Sequence, residues 1–310
     1  MAEISIGAAV GAGFGLIRRR PVSVLVWGAV SVGLQLVALV LFAPFYLAVY
    51  GAVIQGAAAG GGTSPMAALQ SPQVAAMSGL VQLFNLGQIL VTTVVYCAVF
   101  RAVLHPERSS FAYLRLGAPE FFFLILIFAA FIGLFVGLLI VILPVSIIIG
   151  VTVALTHGAG AAALLLVPLA MVAMIVACIF IGLRFAFVGP MMVDDGKFHL
   201  FESWTLTRGR VLSLFLIGLA LVGIFILIDL VLLAIAIGAG AAAVQSLGGL
   251  GQVAAQLHAS PAELLGKLAP LLGAFALLQI PLGGCLTAIA AAPWARAYRD
   301  LTADASQVFA

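Results

Sequence analysis

Six long apolar stretches, almost free of charge, fill most of this 310-residue chain, at about residues 21–50, 76–103, 121–154, 161–190, 211–243 and 269–295. A hydrocarbon core about 30 Å thick is crossed by about 20 helical residues, and in lipid only helices or closed barrels satisfy their own backbone donors and acceptors. The runs are continuous rather than alternating, which predicts helices and not barrel strands. Charged residues make up 7% of the chain and hydrophobic ones 65%, whereas about a quarter of a soluble domain is charged. The solvent for most of the chain is therefore lipid. The expected fold class is all-α: a polytopic transmembrane bundle of six helices, forming one membrane domain over residues 1–310.

The basic residues orient this bundle. Of the 13 Lys and Arg residues, 11 fall in the segments 1–20, 101–120, 191–210 and 296–310, and Arg184 lies near the inner end of the fourth span. The alternate connections, about 51–75, 155–160 and 244–268, carry Gly, Ala, Ser and Gln with Lys267 as their single basic residue. The positive-inside rule places the basic segments, and with them both termini, in the cytoplasm. Arg18, Arg19 and Arg20 precede the first apolar run as in a signal peptide. That run continues for about 30 residues, beyond the 7 to 15 of a signal core, so it is expected to be a retained span. A net charge of +3 and a pI of about 9.0 arise where helices meet the cytosol. They point to lipid headgroups and not to nucleic acid.

A weak repeat runs through the chain. Phe14 and Arg18, Phe111 and Arg115, and Trp204 and Arg208 each place an aromatic residue four before an arginine, ahead of a span. The pattern divides the chain into three hairpins, about 1–105, 106–195 and 196–310. Each would be introduced by a short amphipathic segment on the inner membrane surface, with its apolar face in the acyl boundary and basic residues toward headgroups. Ile6, Val10, Phe14 and Ile17 follow that spacing ahead of Arg18, as do Leu200, Phe201 and Trp204 ahead of Arg208 and Arg210. The plainer alternative is the aromatic and basic belt found at any membrane interface. Arg18, Arg19, Arg20, Arg115, Trp204, Arg208 and Arg210 are the candidate headgroup contacts on either view.

The stretch Pro190, Met191, Met192, Val193, Asp194, Asp195 and Gly196, followed by Glu202, Ser203, Trp204, Thr205, Leu206, Thr207, Arg208, Gly209 and Arg210, carries a family likeness. A span ending in Pro, an acidic-Gly turn and a Ser-aromatic-x-Leu-x-Arg-Gly approach to the next span resembles bacterial six-span proteins. These are grouped with the membrane domain of glycerophosphoryl diester phosphodiesterases and with the YciC-like inner-membrane proteins. The resemblance implies a membrane architecture in the bacterial inner membrane. In that family a soluble phosphodiesterase domain sometimes follows. This chain has no room for one after its last span and lacks the His-Arg-Gly sequence that opens it, so esterase activity is not carried over.

Within the spans, Asp229 is the one deep acid, about 27 Å from the inner end of the fifth span at 1.5 Å per residue. Burying a carboxylate there costs about 2.5 to 3.5 kcal/mol, so it should face protein or water. Gln82, Asn85 and Gln88 on the second span, with Gln35 and Gln279 at comparable depth, are candidates to line a polar cavity with it. The alternatives are a structural acid joining two helices through a hydrogen bond worth about 0.6 kcal/mol, and a tolerated position at the lipid edge. Arg184 is expected to snorkel to inner headgroups. Pro44, Pro144, Pro168 and Pro281 lie inside spans, where the missing amide donor bends a helix. Gly133 and Gly137, and Gly11 and Gly15, have small-xxx-small spacing, which in the former pair permits close helix packing, although chance matches are expected in a chain with 34 glycines.

Catalytic chemistry finds little support. Cys97, Cys178 and Cys285 lack metal or disulfide spacing, and His105, His157, His199 and His258 are dispersed. Asp194, Asp195 and Glu202 match a solvated turn as well as an acid/base group. No phosphate-cradling loop ends in Lys followed by Ser or Thr. No cofactor or metal is therefore expected. The leading expectation is a non-enzymatic, lipid-associated or scaffolding membrane module. Its expected partners are membrane lipids, with a second copy of the chain or another membrane protein as further candidates. A transporter component with a pathway near Asp229 is the alternative, and a lipid-acting enzyme using Asp194, Asp195, His199 and Glu202 is third.

Overall fold

The computed structural model describes residues 4–42, 72–107, 111–155, 161–259 and 261–308. In chain order these form α1 (Ile6–Arg19), α2 (Pro21–Leu41), α3 (Pro72–Leu104), a 3-10 turn (Phe111–Tyr113), α4 (Ala118–Leu155) and α5 (Ala161–Arg184). There follow α6 (Val188–Asp195), α7 (Glu202–Leu206), α8 (Val211–Ser246), α9 (Leu250–Ala259) and α10 (Pro261–Val308). The described residues contain no strand. Six helical stretches among them are long and apolar enough to cross a bilayer, so the protein is an all-α, multi-pass membrane protein. The outer end of the first span with Pro44, the connection that follows it, and His157 lie outside the described residues.

The spans are bounded by local chemistry. Ser5 caps α1 by accepting a hydrogen bond from the Ala8 amide at 3.4 Å. Arg20 leaves helical geometry at φ −134° and ψ 55°, and Pro21, which has no amide donor to lose, opens α2. The expected fourth span breaks after Arg184, and its last residues form the separate helix α6, which ends at Gly196 in the left-handed region (φ 73°). The expected outer loop 244–268 is mostly helical, because its Ala, Leu and Gln residues favour helix. Among the described residues of that segment, Gly248 and Gly249, at φ 88° and 93°, turn the chain. α10 then runs for 48 residues, about 70 Å and more than twice the membrane core. The helices continue through Pro144, Pro168 and Pro281.

α10 is the centre of the packed part, lying against α1, α2 and α3. Its closest approach is to α2, where two glycines cross. A Cβ on Gly28 would lie 1.8 Å from the Ile280 carbonyl oxygen, and one on Gly284 would lie 2.0 Å from that of Val24. Gly13 of α1 makes the third close approach, to the Ile289 backbone, where a Cβ would come within 2.7 Å of its Cα. Apolar lipid offers no net hydrophobic drive between helices, so such close backbone contact is where dispersion can hold a bundle together. The glycine pairs with the expected spacing are not the ones used. Gly11, Gly15, Gly133 and Gly137 have nothing within 4 Å of an added Cβ.

Buried side chains concentrate at one end of the bundle. One cluster joins Trp27 to Val95, Val99, Tyr113, Ala291 and Ala295. A second joins Ile4 and Ala9 to Phe187, Leu214, Ile217, Ile289 and Leu301. No residue in the most apolar stretch of α4 is buried, as suits a helix solvated by lipid.

Candidate functional site

Long-range hydrogen bonds gather the basic segments at the packed end. The Trp27 indole donates to the Ala112 carbonyl at 2.8 Å, and Phe111, Ala112 and Tyr113 all hold positive φ (34°, 53° and 62°). Left-handed geometry costs about 1 to 2 kcal/mol per non-glycine residue, so this turn depends on what it is bonded to. The Tyr113 hydroxyl donates to Pro106 O at 3.0 Å, and Arg101 donates to Tyr113 O at 3.3 Å. Arg101 also pairs with the buried carboxylate of Glu120, which accepts the Gly117 amide at 3.0 Å. Tyr298 donates to Asp194 at 3.1 Å, and His105 Nε2 lies 3.2 Å from the other oxygen of that carboxylate. The segment entering the first span, both turns between hairpins and the end of α10 therefore share one end of the molecule.

Between α1, the end of α3 and the end of α10 lies a cavity of about 680 Å³. Ala8, Gly11, Ala12 and Gly15 form its apolar floor, and Arg19, Arg20, Arg296 and Arg299 line it, with no carboxylate among the described lining residues. Three of these arginines are held from behind. Arg20 donates to Pro106 O at 3.2 Å, Arg299 donates to Val103 O at 3.0 Å, and Arg296 pairs with Asp300 at 3.0 Å. The two carbonyls belong to the end of α3 and the turn after it, which binds the guanidiniums to a helix C-terminus. Each guanidinium carries five N–H donors, so most remain free. Among the sequence candidates only Arg19 and Arg20 enter this cleft. Arg296 and Arg299 were not among those candidates; their three-residue spacing, which puts both on one helix face, is the signal that marks them.

The remaining basic and aromatic candidates sit elsewhere around the packed end. Arg18, Arg115 and Arg208 are exposed, and half-buried Arg210 donates to Leu206 O at 3.4 Å. Trp204 stacks over Arg184, whose guanidinium carbon lies 5.0 Å from its ring and 5.1 Å from that of Phe180. Arg184 is thus enclosed by aromatic faces, where the sequence suggested an arm extended to headgroups. Ser203 donates to Arg184 O at 2.8 Å, tying the short helix α7 to the end of α5. Of the three expected amphipathic segments, α1 alone is a helix of several turns among the described residues. Its apolar residues Ile6, Val10 and Ile17 pack against the second core cluster, leaving Phe14 exposed.

The acidic turn is internally satisfied. His199 pairs with both Asp195 and Glu202, and hydrogen bonding to Glu202, with Asp195 adding to it, raises its pKa above the ordinary histidine value. Asp194 is occupied by Tyr298 and His105. Among the described residues, no group of three or more His, Cys, Asp and Glu side chains is arranged to hold a metal. The three cysteines are free thiols.

The polar residues within the spans are spread over four helices. Asp229 is exposed on α8, which packs on α1, α5 and α10. Gln82, Asn85 and Gln35 are exposed on α3 and α2, while Gln88 and Gln279 are half-buried. Asp229 has no hydrogen-bond or ion-pair partner among the described residues. No protein-family model, curated protein or solved structure matches this chain. The arginine cleft therefore stands on its own geometry as the candidate site.

Proposed function

We propose that this protein is a non-enzymatic, lipid-associated module of the bacterial inner membrane, with its packed basic end in the cytoplasm. The observation that carries this reading is the arginine cleft: four guanidiniums, and no carboxylate among the described lining residues, around an apolar floor, at the end of the bundle where most of the cationic residues gather. A basic pocket between helices at the anionic cytoplasmic leaflet suits a lipid headgroup. The positive-inside rule supports the orientation. The likeness of residues 190–210 to the six-span membrane domains supports the bacterial location.

Native mass spectrometry of protein extracted in a mild detergent tests the reading. Anionic lipids should copurify, and the triple substitution of Arg18, Arg19 and Arg20 by Gln should lower their occupancy. Bound lipid that is unchanged in headgroup and amount would refute it. A periplasm-active reporter fused behind Gly249 should be active, and one fused behind Lys197 silent; the reverse pattern overturns the orientation.

A further inference from the structure

The cleft's charge balance speaks to which headgroup it takes. Arg296 is offset by Asp300, 3.0 Å away. The same carboxylate also acts on Arg299, so a single Asp300 stands against the four guanidiniums of the lining, and Arg19 and Arg20 have no carboxylate partner among the described residues. A phosphodiester headgroup carries one negative charge at its phosphate and would leave most of this cluster unbalanced. A phosphomonoester carries about 1.5 to 2 negative charges near neutral pH and three oxygens that accept charge-assisted hydrogen bonds.

The residue types agree with a compact anion. All four cations are arginine, whose planar fork binds phosphate oxygens in pairs, and both lysines of the chain lie elsewhere. Arg20 and Arg299 are already oriented by the Pro106 and Val103 carbonyls, so binding orders little that is loose. Arg19 has no hydrogen-bond or ion-pair partner among the described residues and is free to complete the clamp. The cavity, about 680 Å³, falls in the range of about 300 to 1,000 Å³ that holds small organic ligands. It exceeds what a phosphate alone fills. Gly11 and Gly15 leave open space where side chains would stand, next to Ala8, Ala12, Ala102 and Val103. That apolar floor suits the glycerol and first methylenes of a lipid.

We propose that this cleft is a binding site for the phosphomonoester headgroup of a membrane lipid, with the terminal phosphate held among Arg19, Arg20 and Arg299. The proposal rests on the lipid-associated reading above and adds a headgroup class to it. The same phosphate chemistry occurs in soluble anions, and the test separates the two sources.

Full-length protein in nanodiscs of phosphatidylcholine would be loaded with small amounts of phosphatidic acid or phosphatidylglycerol, and occupancy read by native mass spectrometry. Phosphatidic acid should bind about tenfold or more tightly than phosphatidylglycerol, the worth of one extra charge-assisted hydrogen bond. Arg299→Lys keeps the charge but loses the fork, and should reduce that preference severalfold while leaving thermal unfolding without added lipid in place. Arg19→Gln should weaken phosphatidic acid by a similar factor, and Lys197→Gln, which removes an exposed charge outside the cleft lining, should not. Equal binding of the two lipids, or equal loss from Lys197→Gln, overturns the proposal. Inorganic phosphate that stabilises as strongly as phosphatidic acid, with the same dependence on Arg299, would make a soluble anion the ligand and also overturn it. Copurified lipid that depends on Arg18, Arg19 and Arg20 but not on Arg299 would sink this site and leave the broader reading intact.

Discussion

Gly28→Ala tests whether the α2–α10 crossing holds the bundle together. The added Cβ would sit 1.8 Å from Ile280 O and 2.9 Å from Gly284 N. Carbon and oxygen in contact stand about 3.3 Å apart at closest, so the helices must separate by about 1.5 Å. A radial gap of 0.5 to 1 Å already forfeits about a quarter to a half of a dispersion contact. Overpacking of this kind costs about 1 to 3 kcal/mol. The upper end applies here, because the obstructing atoms are backbone and cannot rotate away. Alanine recovers up to about 1 kcal/mol of helix propensity over glycine, which leaves a net loss of about 2 kcal/mol. Gly133→Ala is the control, since nothing lies within 4 Å of its added Cβ and only the propensity gain remains. The two substitutions should therefore differ by about 3 kcal/mol, with propensity cancelling between them. Unfolding in dodecyl maltoside micelles titrated with sodium dodecyl sulfate measures both. A Gly28→Ala protein as stable as Gly133→Ala would show that this crossing is not a tight one.

Two further outcomes follow from the ion pairs of the packed end. Glu120→Gln leaves Arg101 without its carboxylate in a site where only 15% of the arginine side chain is exposed. It should cost about 3 kcal/mol, the low end for breaking a buried pair, because Arg101 keeps its bond to Tyr113 O. Replacing Arg101 by Met and Glu120 by Leu together should restore most of that stability in the same unfolding assay; no recovery would mean the pair does more than neutralise charge. The raised pKa of His199 means that the protonated imidazole holds Asp195 and Glu202 most firmly below the ordinary histidine range. That stabilisation is lost as pH rises through the elevated folded-state value. Histidine-resolved NMR titration should show His199 titrating above the ordinary value and moving back toward it in Glu202→Gln, more than in Asp195→Asn. A His199 that titrates at or below the ordinary value contradicts the geometry.

Span number and the clustering of charge at one end were legible in the residues alone. Each depends on how a short segment partitions between lipid and water, and a helix satisfies its backbone wherever its neighbours lie. Helix partners were not legible, because side chains facing lipid are as apolar as those facing protein and the spans carry no strong polar stripe to set their rotation. So the spacing of Gly133 and Gly137 suggested a contact that the fold does not make, while Gly28 and Gly284, on helices far apart in sequence, meet backbone to backbone. Asp229, Asn85 and Gln279 share a depth along the chain, yet their helices do not assemble them into a bonded group among the described residues. The arginine cleft divides in the same way. Arg19 and Arg20 announce themselves before a span, but only the packing of α1 and α3 on α10 brings Arg296 and Arg299 to face them. Membrane insertion is decided segment by segment, whereas a site built from both ends of the chain exists only once the helices have chosen their neighbours.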